Sequence, residues 1–259
     1  MIKGVLLDLA GVIYDGEDAV PGATEAVARL HEAGLLVCFV SNTTRSNKQA
    51  VLDRLARLGF SVTSDELFTP AQAARNWLRK HERSPHLLLH PDLIQEFQGL
   101  EGSRGKAIVV GDAGDAFDYE ALNAAFRELV EGAELLALAA NRTFRDSDGK
   151  LSLDAGAFVA ALEFASQRDA IVLGKPAPAF FRSALATINC TEGEAVMIGD
   201  DAETDVAGAL RIGFAHALLV RTGKYRHGDE GRFEPAPTAT LRDISAAVDW
   251  ILAKRREAG

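Results

Sequence analysis

The sequence predicts an α/β fold built on a largely parallel sheet, and three observations predict it. Short apolar runs alternate with amphipathic helical stretches from the first residue onward. The same alternation returns in the last third of the chain. Between the two lies a stretch with strands and a helix of its own, which reads as an insertion. At 259 residues, 47% hydrophobic and 25% charged, the chain can bury a real core, either as one large domain or as two of moderate size.

Val5-Leu6-Leu7 opens the chain as a buried strand. Pro21 then stands at a helix first-turn position, Ala26, Val27 and Leu30 recur at helical spacing, and Gly34 stops the helix. Residues 35–40 form the next strand. A second helix is expected over 46–59, with Val51, Leu52, Leu55 and Leu58 on one face, and Thr69-Pro70 opens a third with an N-cap residue and a proline. The inserted stretch has expected strands at 87–89, 107–110 and 135–138 and a helix at 119–129. Afterwards come a strand at 171–173, a helix after Pro178, a strand at 195–198, a helix over 204–212 and a strand at 217–220. The expected organisation is a discontinuous core of residues 1–75 and 169–259, a Rossmann-like doubly wound parallel sheet, with residues 76–168 as the smaller inserted α/β domain.

The charge and the cysteines bound the partners. Thirty-seven acidic against 28 basic residues leave a net charge of −9, which argues against nucleic acid or an anionic membrane as a partner. The first residues do not read as a secretory signal, and no apolar run reaches the ~18 residues of a membrane span. Cys38 and Cys190 stand far apart without a C-x-x-C spacing, so a cytoplasmic setting is expected. His86 and His90 would share a face of one strand, but nothing stands near them at zinc-site spacing. The Gly-Lys pairs are never followed by Ser or Thr, so there is no P-loop.

Ligands of doubly wound sheets bind at the carboxyl ends of the strands, so the residues just after each apolar run carry the information. Those residues are Asp8-Leu9-Ala10-Gly11-Val12, Ser41-Asn42-Thr43-Thr44, Gly174-Lys175-Pro176 and Gly199-Asp200-Asp201, with Asp205 close behind. Several carboxylates make a hard oxygen site suited to Mg²⁺, which shares its shell with phosphate. A hydroxyl, loop amides and a lysine supply donors for phosphoryl oxygens. A carboxylate placed in line can attack phosphorus and form an aspartyl phosphate.

These four stretches, in this order, resemble the signature motifs of the haloacid dehalogenase superfamily of phosphohydrolases. The insertion between the second and third resembles the subgroup with a large α/β cap, the NagD and p-nitrophenyl phosphatase-like enzymes. Asn141-Arg142-Thr143-Phe144 and Arg221-Thr222-Gly223-Lys224-Tyr225 are similar to phospholysine phosphohistidine inorganic pyrophosphate phosphatases and their relatives. The resemblance implies a Mg²⁺-dependent enzyme with Asp8 as nucleophile and metal ligand. It implies Asp200 and the Ala10 carbonyl as further metal ligands, and Ser41, the Asn42 backbone and Lys175 around the phosphoryl group. Asp201 and Asp205 would bind metal waters or hold Lys175 and the loop. The 76–168 domain would be a cap that selects the substrate, with Asn141, Arg142 and Asp154 as candidate leaving-group contacts. The solvated-turn reading of Asp146-Ser147-Asp148-Gly149 stands beside that one. An open cap is compatible with a homodimer.

One position departs from the family pattern. Most of these phosphatases carry a second aspartate two residues after the nucleophile, as general acid and base; here it is Ala10. Such help is typically worth ~10²–10⁴-fold. The expected substrates are therefore small phosphorylated molecules whose leaving group needs little protonation, such as pyrophosphate or a phosphoramidate. Alternatively, Tyr14, Asp15 or a cap side chain supplies the proton, or the protein binds phosphorylated ligands without turning them over.

Overall fold

The computed structural model describes residues 1–145 and 150–257, so the expected turn at 146–149 lies outside the described residues. In chain order, β1 (Gly4–Asp8) leads to a small hairpin of β2 (Tyr14–Asp15) and β3 (Asp18–Ala19), then α1 (Ala23–Glu32), β4 (Leu36–Val40), α2 (Lys48–Arg57), β5 (Leu67–Phe68) and α3 (Pro70–His81). The middle of the chain forms β6 (Ser84–Leu88), α4 (Pro91–Ile94), β7 (Lys106–Val110), α5 (Tyr119–Val130), β8 (Glu134–Ala137), β9 (Thr143–Arg145), β10 (Leu151–Leu153), α6 (Ala155–Ser166) and β11 (Ile171–Val172). The last part forms α7 (Pro178–Thr187), β12 (Ala195–Gly199), α8 (Gly208–Arg211), β13 (His216–Val220), β14 (Ala239–Leu241) and α9 (Ile244–Glu257).

Six strands pair in the order β14-β13-β12-β1-β4-β5, every neighbour parallel. Both faces are covered, which is why these strands read as unbroken apolar runs. Val5, Leu7, Val37, Phe39, Val196, Ile198, Leu218 and Val220 alternate onto the face that α1 and α9 cover through Ala26, Val27, Leu30, Ala247, Val248 and Ile251. On the other face α7 packs against β1 and β4, with the Phe68 and Phe180 rings 5.3 Å apart and Phe181 edge-on to Phe180 and Phe214. A second parallel sheet runs β11-β8-β7-β6, with a core of Ile108, Val110, Leu135 and Ala137 under Ala125 and Leu129 of α5 and Val159 and Leu162 of α6. The hairpin β9–β10 is antiparallel.

Contacts divide the chain into two compact units. One comprises Met1–Ser41, Val51–Phe68 and Lys175–Gly259, the other Asn42–Ala50 and Thr69–Gly174. These limits differ from the expected cuts at 75/76 and 168/169. A cut at 75 would sever α3, a continuous helix that Thr69 caps by accepting the Gln72 N–H at 3.3 Å. The strand at 171–172, assigned from sequence to the core, pairs instead with Leu136 and Ala137 of β8 in the four-stranded sheet.

Other differences are local. Helix α1 starts at Ala23, because Gly22 takes the left-handed conformation at its N-cap, so Pro21 precedes the first turn. The helix expected over 204–212 begins as a wide π-helical turn, Ala202–Ala207, and becomes α-helical only at Gly208. His90 lies beyond β6 and caps α4 by accepting the Asp92 N–H, while His86 pairs with Glu128 at 2.9 Å, so they do not share a strand face.

Candidate active site

The site lies where the chain reverses its direction across the six-stranded sheet. From β1 it moves outward through β4 and β5; it returns on the other side of β1 through β12, β13 and β14. The carboxyl ends of β1 and β12 flank that switch point, and they carry Asp8 and, one residue past the strand, Asp200. After Asp8 the chain turns sharply: the N–H groups of Val12, Ile13 and Tyr14 converge on the Leu9 carbonyl, and Gly11 N–H donates to the Tyr14 carbonyl at 2.7 Å. Leu9, Val12 and Ile13 anchor this turn in the core, while Ala10 stays exposed.

Asp8, Asp200 and Asp205 are all buried and bring carboxylate oxygens within 4.8 Å of one another. Asp205 arrives from the π-helical turn. Its side chain lies over the end of β12, where a Cβ on Gly199 would fall 2.3 Å from the Asp205 Cβ. Only glycine fits there, which accounts for the first residue of Gly199-Asp200-Asp201. Asp201 serves a different purpose: its Oδ1 accepts the N–H groups of Glu203 and Thr204 and so caps the turn. Burial acts to raise its pKa, but the Thr204 amide, the Lys224 charge and the Glu203 amide hold it below the usual carboxylate range.

Lys175 is 5% exposed, donates a hydrogen bond to Asp8 Oδ1 at 2.5 Å and forms an ion pair with Asp205 Oδ1 at 2.6 Å. Burial opposes its charge, yet the two carboxylates outweigh this and hold its pKa above the ordinary lysine range. Asp200 is held by the loop after β13, whose Lys224 N–H donates to its Oδ2 at 2.7 Å. Gly223 makes this approach with φ +59, and a Cβ there would lie 2.1 Å from Asp200 Oδ2 and 2.4 Å from the Gly11 Cα. The Thr222 hydroxyl closes the arrangement by donating to the Gly11 carbonyl.

This donor set fits a divalent cation. The other oxygen of Asp200, Oδ1, is buried and has no hydrogen-bond partner among the described residues. An ionised carboxylate oxygen left so in a protein interior is costly unless a cation compensates it. Burial, with repulsion from Asp8, pushes the Asp200 pKa up to about 6. Because this exceeds the ordinary value of 3.8, the metal-free protein is most stable below pH 4 as far as this group is concerned, and loses that stability as pH rises through about 6. The difference corresponds to about 3 kcal/mol at most. Asp200→Asn should therefore raise the melting temperature in EDTA at pH 7.5, have little effect near pH 4, and abolish the upward shift expected of the parent protein when Mg²⁺ is added. Melting of the variant at or below the parent in EDTA at pH 7.5 would show that Asp200 carries no such penalty.

The remaining candidates fall as follows. Ser41 is buried just past β4, its N–H donating to the Phe68 carbonyl at 3.3 Å. Asn42 begins the second unit, where its Oδ1 lies close over Gly174. Asn141 and Arg142 have exposed side chains, and their carbonyls accept from Gly156 and Asp154 N–H. Asp154 is buried at the N-cap of α6, its Oδ1 accepting the Ala155 N–H at 2.7 Å. Tyr14 packs on the core with the Arg54 guanidinium 4.2 Å from its ring centre, and burial raises its pKa, so the phenol keeps its proton. Asp15 is exposed. Sequence reasoning gave no role to Gly11, Thr222 or Gly223, which shape the pocket of Asp200; the sequence shows a glycine in each loop but not that the two meet. It also missed that Arg45 is fixed by buried Asp112 at 2.5 Å and lies over the Phe144 ring.

A parallel α/β sheet with buried carboxylates and a charged lysine at its switch point can hold a divalent cation and a phosphoryl group. The chain belongs to the haloacid dehalogenase-like hydrolases. Residues 5–123 match the family model for haloacid dehalogenase-like hydrolase and residues 172–247 match a second model for HAD-like hydrolases. It is 44% identical over 251 residues to haloacid dehalogenase-like hydrolase domain-containing protein 2 of Bos taurus, covering 97% of this chain and 96% of that protein. It is 42% identical over 260 residues to phospholysine phosphohistidine inorganic pyrophosphate phosphatase of Danio rerio, covering 98% and 96%. Among solved structures, a p-nitrophenyl phosphatase of Archaeoglobus fulgidus superposes with TM-score 0.87 at 25% identity, over 96% of this chain and 99% of that one. A glycerol phosphate phosphatase of Mycobacterium tuberculosis, solved in complex with magnesium, gives 0.81 at 27% identity over 95% and 76%. Among the described residues no helix is long and apolar enough to cross a membrane.

Proposed function

We propose that this hydrolase is Mg²⁺-dependent, forms an aspartyl phosphate on Asp8, and acts on small phosphorylated molecules whose leaving group needs little protonation, such as pyrophosphate or a phosphoramidate. The observation that carries the reading is the cluster of Asp8, Asp200 and Asp205 with Lys175 bonded to Asp8. Lys175 orients the Asp8 carboxylate for attack, and with Ser41 it offers donors to the phosphoryl oxygens. Mg²⁺, held by Asp8, Asp200 and the Ala10 carbonyl with Asp205 beside them, would screen the repulsion between carboxylate and phosphate. Asp205 keeps Lys175 charged, and Asp201 fixes the turn that delivers Asp205.

The leaving-group preference follows from Ala10, which has no proton to give. The relatives named as inorganic pyrophosphate phosphatases support the same preference. The 76–168 stretch, which lies in the second unit between Asn42 and Lys175, is assigned a part in the choice of substrate. A cytoplasmic setting suits Cys38 and Cys190, two buried cysteines far apart in the sequence and without a C-x-x-C spacing.

The test is phosphate release from pyrophosphate and p-nitrophenyl phosphate. Release should require Mg²⁺, fall to background in EDTA and return when Mg²⁺ is added back. Release that EDTA leaves unchanged would remove the metal from the reading, and no release from either compound would remove the substrate class.

A further inference from the structure

Two lysines pair with the acidic residues of the site, and they are held in opposite ways. Lys175 is buried, with its ammonium hydrogen-bonded to Asp8 and ion-paired with Asp205. Lys224, in the loop after β13, has a side chain 70% exposed and an Nζ 3.6 Å from Asp201 Oδ2. That separation exceeds a hydrogen bond, and exposed pairs of this kind add little to stability. The backbone beneath it is firmly tied. Lys224 N–H donates to Asp200, the Thr222 hydroxyl to Gly11, and the Tyr225 N–H to the Thr222 carbonyl at 3.2 Å. The Tyr225 hydroxyl donates to Glu230 at 2.9 Å. A loop tied down in this way therefore carries a solvent-facing cation beside Asp201, the residue that follows Asp200 of the carboxylate cluster.

We propose that Lys224 binds the leaving group when that group is itself a phosphate, and so selects oligophosphate substrates. The inference rests on the phosphohydrolase reading above and adds to it the residue that chooses the leaving group. In the first step an Asp8 oxygen forms a bond to phosphorus, the bond to the bridging oxygen breaks, and the leaving phosphate departs with that electron pair. No proton from the protein is needed if the charge is neutralised where it develops. The Lys224 ammonium supplies that neutralisation, which is how an enzyme with alanine at position 10 can still release an anionic product. In the second step water attacks the phosphorus of the aspartyl phosphate, the bond to Asp8 breaks, phosphate leaves, and the proton of the water passes to solvent. Substrates with a single phosphoryl group present no second phosphate for Lys224 to hold.

The test compares Lys224→Met and Lys224→Arg with the parent enzyme on pyrophosphate and p-nitrophenyl phosphate, and measures binding of methylenediphosphonate and of inorganic phosphate by calorimetry. Loss of one charge-assisted contact should lower kcat/KM for pyrophosphate by about 10- to 100-fold in Lys224→Met. The same variant should lose at most about threefold on p-nitrophenyl phosphate, and Lys224→Arg should recover most of the pyrophosphate activity. Methylenediphosphonate should bind Lys224→Met about tenfold more weakly, by the same loss, with phosphate affinity little changed. An equal fall on both substrates would mean that Lys224 only supports the loop, and an unchanged pyrophosphate rate would mean that it does not touch the leaving group; either overturns the inference. A parent enzyme that hydrolyses p-nitrophenyl phosphate but not pyrophosphate would overturn this inference while leaving the proposed leaving-group class in place, whereas no release from either compound would remove that class as well.

Discussion

Asp8→Asn should reduce phosphate release by ~10³-fold or more on every substrate, because an amide cannot serve as the attacking oxygen nucleophile. The substitution keeps the shape of the side chain, and Lys175 keeps Asp205 as a partner at 2.6 Å. Removing the Asp8 charge also relieves a repulsion that raises the Asp200 pKa. The variant should therefore melt no lower than the parent in EDTA, which separates lost chemistry from lost structure. Acid quenching of the parent during turnover should trap up to one phosphoryl group per chain, released by hydroxylamine as expected of an acyl phosphate, and the variant should trap none. Equal phosphate release by the two proteins would remove Asp8 as nucleophile.

Ala10→Asp should have the opposite effect. Position 10 is exposed and its backbone is fixed by the turn around Leu9, with a bridge between Ala10 and Tyr14, so a carboxyl group can be added without burying it. A general acid is typically worth ~10²–10⁴-fold, and turnover of alkyl phosphate monoesters should rise by about 10²-fold. Pyrophosphate and p-nitrophenyl phosphate should change by only a few fold, since neither leaving group waits for a proton. The gain on alkyl esters should depend on pH with the ionisation of the new carboxyl. If the variant gains on neither class, protonation of the leaving group does not limit this enzyme.

Much of the site was legible because its residues follow apolar runs directly. A buried parallel strand must be apolar on both faces, so its carboxyl end is marked by the first polar residue, and Asp8, Ser41 and Asp200 were found in this way. Lys175 was found as the residue after an apolar run, although that run, Ile171–Val172, belongs to the other sheet. Two residues are too few to declare a partner, and pairing with β8 rather than with the six-stranded sheet is a non-local choice. Asp201 and Asp205 could not be told apart in sequence, both being polar positions at the start of one helix. The wide turn at Ala202–Ala207 separates them, burying Asp205 against Gly199 and leaving Asp201 to cap.

The sequence by itself determined the alternation of strand and helix, the order of the motif residues, the presence of a middle stretch with strands and a helix of its own, and the absence of an acid at position 10. These are local properties, carried by apolar periodicity and by residue type. Only the tertiary structure decided which carboxylates share a pocket, that Lys175 joins Asp8 to Asp205, and that a loop over 200 residues beyond Asp8 holds Asp200 through the Lys224 amide. Those contacts depend on strands distant in the chain becoming neighbours in one sheet, and on glycines at 11, 199 and 223 that let backbone and carboxylate approach closely. Periodicity reports which face of an element is buried, and carries no information about what that face will meet.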